Sequence, residues 1–299
     1  MGRLRRSLHF VPAANEKLLT KSLALPADTL VLDLEDSVTP DNKDSARDIV
    51  TSWLKEVDFG RQERTVRMNS LDTPWGQRDL EVTMAGRPDA YIVPKVRCAD
   101  DVRAIDEVLT RMEARYGCGE GGGKTKLLVI ATETPQGVLN IREIATASSR
   151  IDALTWGAED LSAAIGARRN RDDSGRFLEV FRYARIVTLL AATAAGVDPL
   201  DTVFVDIQDT EGLRRECLEA AWMGFTGKIT IHPSQIAVVN EVFSPSAEEI
   251  AEARELLAAF EENRRAGRMA FSFRGQMVDV PHLTRAKKML ERAEKAGLA

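Results

Sequence analysis

Short apolar runs alternate with longer amphipathic stretches along most of this chain. The runs fall at residues 8–12, 29–34, 64–69, 90–95, 126–131, 153–156, 202–205 and 228–231. Several are continuous and β-branched, such as Thr29-Leu-Val-Leu32 and Leu127-Leu-Val-Ile130. Runs of that kind suit strands buried on both faces, as in a parallel sheet. The stretches between them read as helices. Residues 44–53 follow Pro40, and residues 100–116 place Val102, Ile105, Val108, Leu109 and Met112 at helical spacing. Residues 177–195 form a long Ala-rich segment that Gly196 is placed to stop. Eight strand–helix units predict an α/β fold of the (β/α)8 TIM-barrel type. A doubly wound open sheet is the rival, but no G-x-G-x-x-G follows the first strand.

After Ile231 the alternation ends. Two further helices are expected over residues 246–266 and 281–297, joined by a connection rich in Gly and Met. The expected organisation is a barrel over residues 1–243 and a C-terminal helical extension over 244–299. The chain has 299 residues, so one barrel plus an arm replaces the two domains that ~150 residues per domain would suggest.

Composition then narrows the chemistry. Charged residues make up 29% and hydrophobic ones 44%, which suits a globular chain. With 3 His and 3 Cys, a zinc-finger array is excluded and a His-rich metal site is disfavoured. Cys98, Cys118 and Cys217 are scattered, which points away from a disulfide framework and towards a cytoplasmic setting. A net charge of −5 argues against nucleic acid as a partner. No run reaches the ~18 uncharged apolar residues of a membrane span. The apolar stretch after the basic start is too short for a signal-peptide core. Gly119-Glu-Gly-Gly-Gly-Lys-Thr125 imitates a phosphate-binding loop, but it precedes a strand rather than following one. It is read as a surface connection.

Barrel enzymes carry their chemistry at the C-terminal ends of the strands. Those ends hold Asp33-Leu-Glu-Asp36, Arg67 with Asn69, Lys95, Glu133, Glu159-Asp160, Asp206 and His232. A ring of carboxylates is what Mg2+ prefers, with few protein ligands and the rest from substrate and water. Glu133 and Asp160 end adjacent strands and are placed to share one ion. Each acid taken singly is equally suited to capping the next helix. Lys95 among these acids is expected to be an ion-pair residue rather than a Schiff-base amine, because neighbouring carboxylates raise its pKa.

These strand ends also carry a resemblance. Arg6-Ser-Leu-His-Phe-Val-Pro12, Leu32-Asp-Leu-Glu-Asp-Ser-Val38 with Lys43, Ala46 and Arg47, Val66-Arg-Met-Asn69 and Val93-Pro-Lys-Val96 are similar to the citrate lyase β-subunit-like (HpcH/HpaI aldolase/citrate lyase) family. So are Glu133-Thr-Pro-Gln-Gly137, Trp156-Gly-Ala-Glu-Asp-Leu161, Asp209-Thr-Glu-Gly212, the segment from Gly224 to Gln235, and Met277-Val-Asp-Val-Pro281. The likeness runs in order over nearly the whole chain and is nearest to malyl- and citramalyl-CoA lyases. It implies a Mg2+-dependent carbon–carbon lyase, with Mn2+ as substitute. Such an enzyme cleaves a 3-hydroxy-3-carboxyacyl-CoA to acetyl-CoA or a homologue plus a 2-oxo acid, or runs the reverse condensation. It also implies a homotrimer or hexamer.

By this resemblance Glu133 and Asp160 are metal ligands, and Arg67 holds the substrate's oxygen. Glu35 and Asp36 build the pocket, and Gly157, Ala158 and Glu159 contact substrate with Arg67 and Glu133. Asp279 is an acid/base reaching in from a neighbouring subunit. The expected cations for CoA phosphates are Arg5, Arg6 and His232, with Arg3, Arg168, Arg169 and Arg171 as further candidates. Ala13, His9 and Thr132 depart from the family pattern, and His9 and Thr132 are expected to alter the pocket. The alternatives are a citrate lyase subunit acting on a carrier-bound substrate, a malate-synthase-like enzyme that also hydrolyses the thioester, and a CoA-independent metal aldolase.

Overall fold

The apolar runs form the eight strands of a closed parallel barrel in sequence order, β1 to β8, with β8 pairing back onto β1. The computed structural model describes residues 3–117 and 124–298. Cys118 and glycines 119 and 121–123 of the loop that imitates a phosphate-binding site lie outside the described residues. The strands are β1 (Ser7–Pro12), β2 (Thr29–Asp33), β3 (Glu63–Arg67), β4 (Ala90–Val93), β5 (Lys126–Ile130), β6 (Ile151–Thr155), β7 (Asp198–Asp201) and β8 (Gly227–Thr230). The helices that follow them are α1 (Glu16–Ser22), α2 (Lys43–Glu56), α3 (Gly76–Thr83), α4 (Ala99–Arg115), α5 (Pro135–Ile144), the short α6 (Ala158–Ala164), α7 (Glu179–Ala195), α8 (Thr210–Met223) and α9 (Pro233–Val242). This is a (β/α)8 TIM barrel.

Alternation along each strand sorts its side chains. Leu8, Val31, Ala90, Ile92, Leu128, Ile130, Ala153 and Leu200 fill the barrel interior, with Phe10 against them. Leu30, Leu32, Val66, Tyr91, Val93, Leu127, Val129 and Leu154 face the helices. Both faces are apolar, which is why the strands read as continuous rather than alternating runs. Gly227 is required by the closure of the barrel: a Cβ there would stand 1.9 Å from the carbonyl oxygen of Arg5, just before β1.

The seventh strand differs from expectation. Residues 202–205 lie beyond it, and the strand is Asp-Pro-Leu-Asp. Asp201 is fully buried there and accepts hydrogen bonds from Trp156 Nε1 (2.8 Å) and Lys228 Nζ (2.9 Å), with Arg185 beside it. These partners hold its pKa far below the usual carboxylate range, against the cost of burial. A strand paid for by ion pairs carries no apolar signature. Asp206 accordingly stands in the loop after β7, not at the strand end.

Two compact units divide the chain: residues 5–240 form the barrel, and the described residues of 1–4 and 241–299 form the other. The second unit contains α10 (Ala247–Arg265), β9 (Phe271–Phe273), β10 (Gln276–Val278) and α11 (Val280–Lys295). The connection between its helices is therefore a β-hairpin. Arg274 and Gly275 form its two-residue turn, both at positive φ (48° and 80°), the geometry of a type I′ turn. Ala253, Leu256, Val278 and Ala286 make this unit's own small core, with Phe260 and Phe271 edge to face at 5.7 Å.

Candidate active site

Asp33 and Arg67 end β2 and β3 as Cα partners in the parallel ladder. Register places them side by side at the barrel mouth. Arg67 Nε and Nη2 each donate to Asp33 at 2.7 Å, a bidentate fork. Arg67 Nη1 lies 2.8 Å from Glu35 Oε2, and the guanidinium stacks over the Phe10 ring at 4.7 Å. Burial disfavours the Asp33 carboxylate, but Arg67 and the Glu35 amide outweigh it and hold its pKa below the usual value. Asp33 is thus part of the site, although sequence reasoning assigned it no role. The available signal was a carboxylate at the end of an apolar strand, in register with the Arg.

Lys95 follows β4 at φ 55°, a left-handed conformation rarely adopted by residues other than glycine. That turn aims its backbone amide at the Glu133 carboxylate, to which it donates. Its ammonium lies 2.6 Å from Glu35 Oε1, 3.4 Å from Asp36 and 3.6 Å from Asp160. Burial lowers the Lys95 pKa, but Glu35, Asp160 and Asp36 more than reverse this and raise it. Lys95 is therefore an ion-pair residue, not a nucleophilic amine.

Glu133, just after β5, is 3% exposed. Burial and then the charges of Asp160 and Glu35 push its pKa well above the usual carboxylate value, with the Lys95 amide opposing. Burial likewise raises Glu35, against Arg67 and Lys95. Gly157 makes room for Glu133, since a Cβ there would stand 2.7 Å from the Glu133 Cβ. Crowded, partly compensated carboxylates suit a hard divalent cation, whose charge relieves their repulsion. Among the described residues, no group of three or more His, Cys, Asp and Glu side chains forms a metal cage. Glu133 and Asp160 with substrate and water oxygens match what Mg2+ uses instead.

A cavity of about 660 Å³ opens over these groups, lined by Glu35, Asp36, Lys43, Asn69, Trp75, Lys95, Glu133 and Asp160 among others. Glu35, Asp36, Arg67, Glu133 and Asp160 thus come together, with Gly157 behind Glu133 and Ala158 buried at the start of α6. Glu159 is exposed and accepts from Asn170 at 2.7 Å. His232 is exposed after β8 and pairs with Ser234 at 2.8 Å. Asp279 belongs to the C-terminal unit, caps α11 and lies 2.7 Å from His282 Nδ1.

Four expectations are corrected. Arg5 and Arg6 stand before β1, at the opposite end of the barrel from the acid ring. Arg5 is buried on Glu63 (2.7 Å) and Asp152 (2.6 Å), and Arg6 grips Asp28 through two 2.8 Å bonds. Neither is placed to meet a phosphate at the mouth. His9 faces away from the barrel interior and pairs with Thr230 at 3.1 Å. Thr132 is bonded to Thr188 of α7 at 2.7 Å, so both lie in the wall between barrel and helices rather than in the pocket.

Comparison with known proteins agrees with this geometry. The family model described as HpcH/HpaI aldolase/citrate lyase matches residues 6–233. The citrate lyase subunit beta of Leuconostoc mesenteroides subsp. cremoris is 38% identical over 97% of this chain and 94% of its own. The L-malyl-CoA/beta-methylmalyl-CoA lyase of Rhodobacter capsulatus is 35% identical over 99% and 96%. The crystal structure of CitE from Mycobacterium tuberculosis, in complex with magnesium, acetoacetate and coenzyme A, superposes with a TM-score of 0.79 at 36% identity, covering 97% of this chain and 98% of that one. A closed barrel with an acid ring and a fixed Arg at its mouth, matched over nearly full length by named lyases, makes this chain an enzyme of the HpcH/HpaI aldolase/citrate lyase family.

Proposed function

We propose that the barrel mouth cleaves a 3-hydroxy-3-carboxyacyl-CoA, such as malyl-, methylmalyl-, citramalyl- or citryl-CoA, to acetyl-CoA or a homologue and a 2-oxo acid, or runs the reverse condensation. The observation that carries this is Arg67, locked by Asp33 and Glu35, with Glu35 shared with Lys95, which in turn reaches Glu133 and Asp160. Among the described residues three of the five guanidinium N–H groups meet Asp33 and Glu35, and the reading assigns the other two to an oxyanion. A donor fixed in advance costs no reorganisation when charge develops on the substrate's oxygen. Lys95 balances Glu35, Asp36 and Asp160, so that the ring is not a bare negative patch facing a carboxylate substrate. Glu133 and Asp160 would hold Mg2+, which when bound supplies Lewis-acid polarisation of the oxo-acid group. As the C2–C3 bond breaks, the C3 hydroxyl becomes the oxo group and its proton passes to solvent, while the thioester enolate takes a proton at C2. Asp279, on the extension of a neighbouring subunit in a homotrimer or hexamer, supplies that proton and removes it in condensation. His232 remains a candidate for a CoA phosphate.

The test is cleavage of these four thioesters by the purified chain with Mg2+, with products identified by mass spectrometry. Acetyl- or propionyl-CoA with the matching 2-oxo acid is expected. No release from any of them overturns the reading. The likeness to a citrate lyase subunit favours a second reading, which activity only on carrier-bound substrate would establish. Free CoA as product would indicate a synthase-type outcome, and turnover of free acids a CoA-independent aldolase. For Asp279→Asn, slowed exchange of the acetyl-CoA methyl protons is expected, and unchanged exchange would leave Asp279 as a helix cap.

A further inference from the structure

Lys43 breaks two ordinary rules at once. It is the first residue of α2, where the helix dipole disfavours a cation, and it is only 5% exposed. All three of its N–H donors are used: on the Leu34 carbonyl (2.7 Å), the Glu35 carbonyl (2.7 Å) and Asn69 Oδ1 (2.8 Å). The first two acceptors belong to the turn that carries Glu35 and Asp36 after β2. The third stands two residues past Arg67 on β3. Asn69 in turn donates from Nδ2 to the Leu34 carbonyl at 2.9 Å and to Asp79 at 2.7 Å, and its amide also donates to Asp79 at 2.7 Å. Asp79, fully buried in α3, is held by Arg47 of α2 at 2.6 Å.

We infer that Lys43 is a positioning residue that ties the Glu35–Asp36 turn to the end of β3, with Asn69, Asp79 and Arg47 as the chain of bonds behind it. The two parts so tied are the two halves of the Glu35–Arg67 ion pair. Hydrogen bonding saturates the ammonium, so Lys43 acts through Glu35 and Arg67 rather than on substrate. Burial lowers its pKa, against the charges of Asp79, Asp33, Glu35 and Asp36. The Trp75 ring, which lines the same cavity, stands 5.2 Å from Nζ.

This inference rests on the proposed lyase reaction for its kinetic arm only. Lys43→Met keeps the stem and removes the ammonium. The expected result is a ~10–100-fold fall in kcat, with KM for the thioester within about threefold. Amide exchange over residues 33–36 should accelerate while the protein still melts cooperatively. Asp79→Asn should give the same pattern at smaller size. Lys55→Met, exposed on the last turn of the same helix, should change neither measurement. An active wild type with unchanged kcat in Lys43→Met overturns the inference. So does a loss matched by faster exchange over the whole barrel, which would mark a purely structural role. A wild type inactive on every thioester refutes the proposed function instead, and the exchange measurement still decides the role of Lys43.

Discussion

At the floor of the barrel, Arg5 is buried between Glu63, Asp152 and Asp198, and Thr29 adds a further bond to Glu63 at 2.8 Å. Arg150, just before β6, is likewise buried on Glu113 at 2.7 Å and paired with Asp106 at 2.5 Å. At the mouth, Arg67 and Lys95 face five carboxylates: Asp33, Glu35, Asp36, Glu133 and Asp160. The floor pairs its charges within a closed wall, and the mouth gathers an excess of acid around an open cavity. At the floor the acids gain: despite burial, Arg150 holds Asp106 and Glu113 below the usual carboxylate values. At the mouth burial and neighbouring acids push Glu35 and Glu133 up. The first arrangement spends its charges on stability. The second holds repulsion that a bound cation would relieve, and such clusters of perturbed acids mark candidate functional sites.

The contrast breaks most sharply under mutation of each end. Asp160→Ala should lower turnover about 10³-fold and abolish its dependence on added Mg2+, because Lewis-acid stabilisation is worth several kcal/mol. Calorimetric Mg2+ titration and a melting curve check that the site and not the fold was lost. A variant with full activity would remove Asp160 from the site. Glu63→Ala should do the reverse. Breaking the buried pair should cost about 3 kcal/mol of stability, with turnover per folded molecule unchanged. Denaturant unfolding together with kinetics decides between the two outcomes. Equal loss of activity in both variants would erase the distinction between floor and mouth.

A smaller effect belongs to the wall between them. Burial, with His232 adding to it and Thr230 opposing, pushes the His9 pKa from 6.5 down to about 4. The folded state therefore binds fewer protons than the unfolded chain between those values. Its contribution is present above pH 6.5 and is lost as the pH falls towards 4. The melting temperature of the wild type should fall more steeply over this window than that of His9→Gln. Parallel curves would show that His9 is not kept neutral.

Most of the mouth was legible in the sequence. A buried parallel strand announces itself as an apolar run, so Glu35, Arg67, Glu133 and Asp160 could be found as the polar residues that end such runs. Asp33 is legible as one of the strand-end acids, but its pairing with Arg67 depends on the register of β2 against β3. Lys43 was noted only as part of a resemblance, since no spacing rule reports a helix residue reaching back to carbonyls of the preceding turn. Arg5 and Arg6 were misplaced although the signal existed: a residue before the first strand of a barrel stands at its floor. The strand Asp198–Asp201 shows no apolar run because it is only four residues long and both ends are Asp, with Asp201 buried by ion pairs and Leu200 by the barrel interior. The hairpin in the C-terminal unit was missed because three residues per strand are too few to show alternation.

The sequence by itself determined the barrel, its strand count and the identities of the acids at its mouth, because these follow from hydrophobic periodicity and from chain order. Only the tertiary structure decided which charges are partners. Pairing depends on register, side-chain parity and burial, and these set whether a carboxylate such as Asp33 locks an arginine or one such as Glu133 is crowded by other acids.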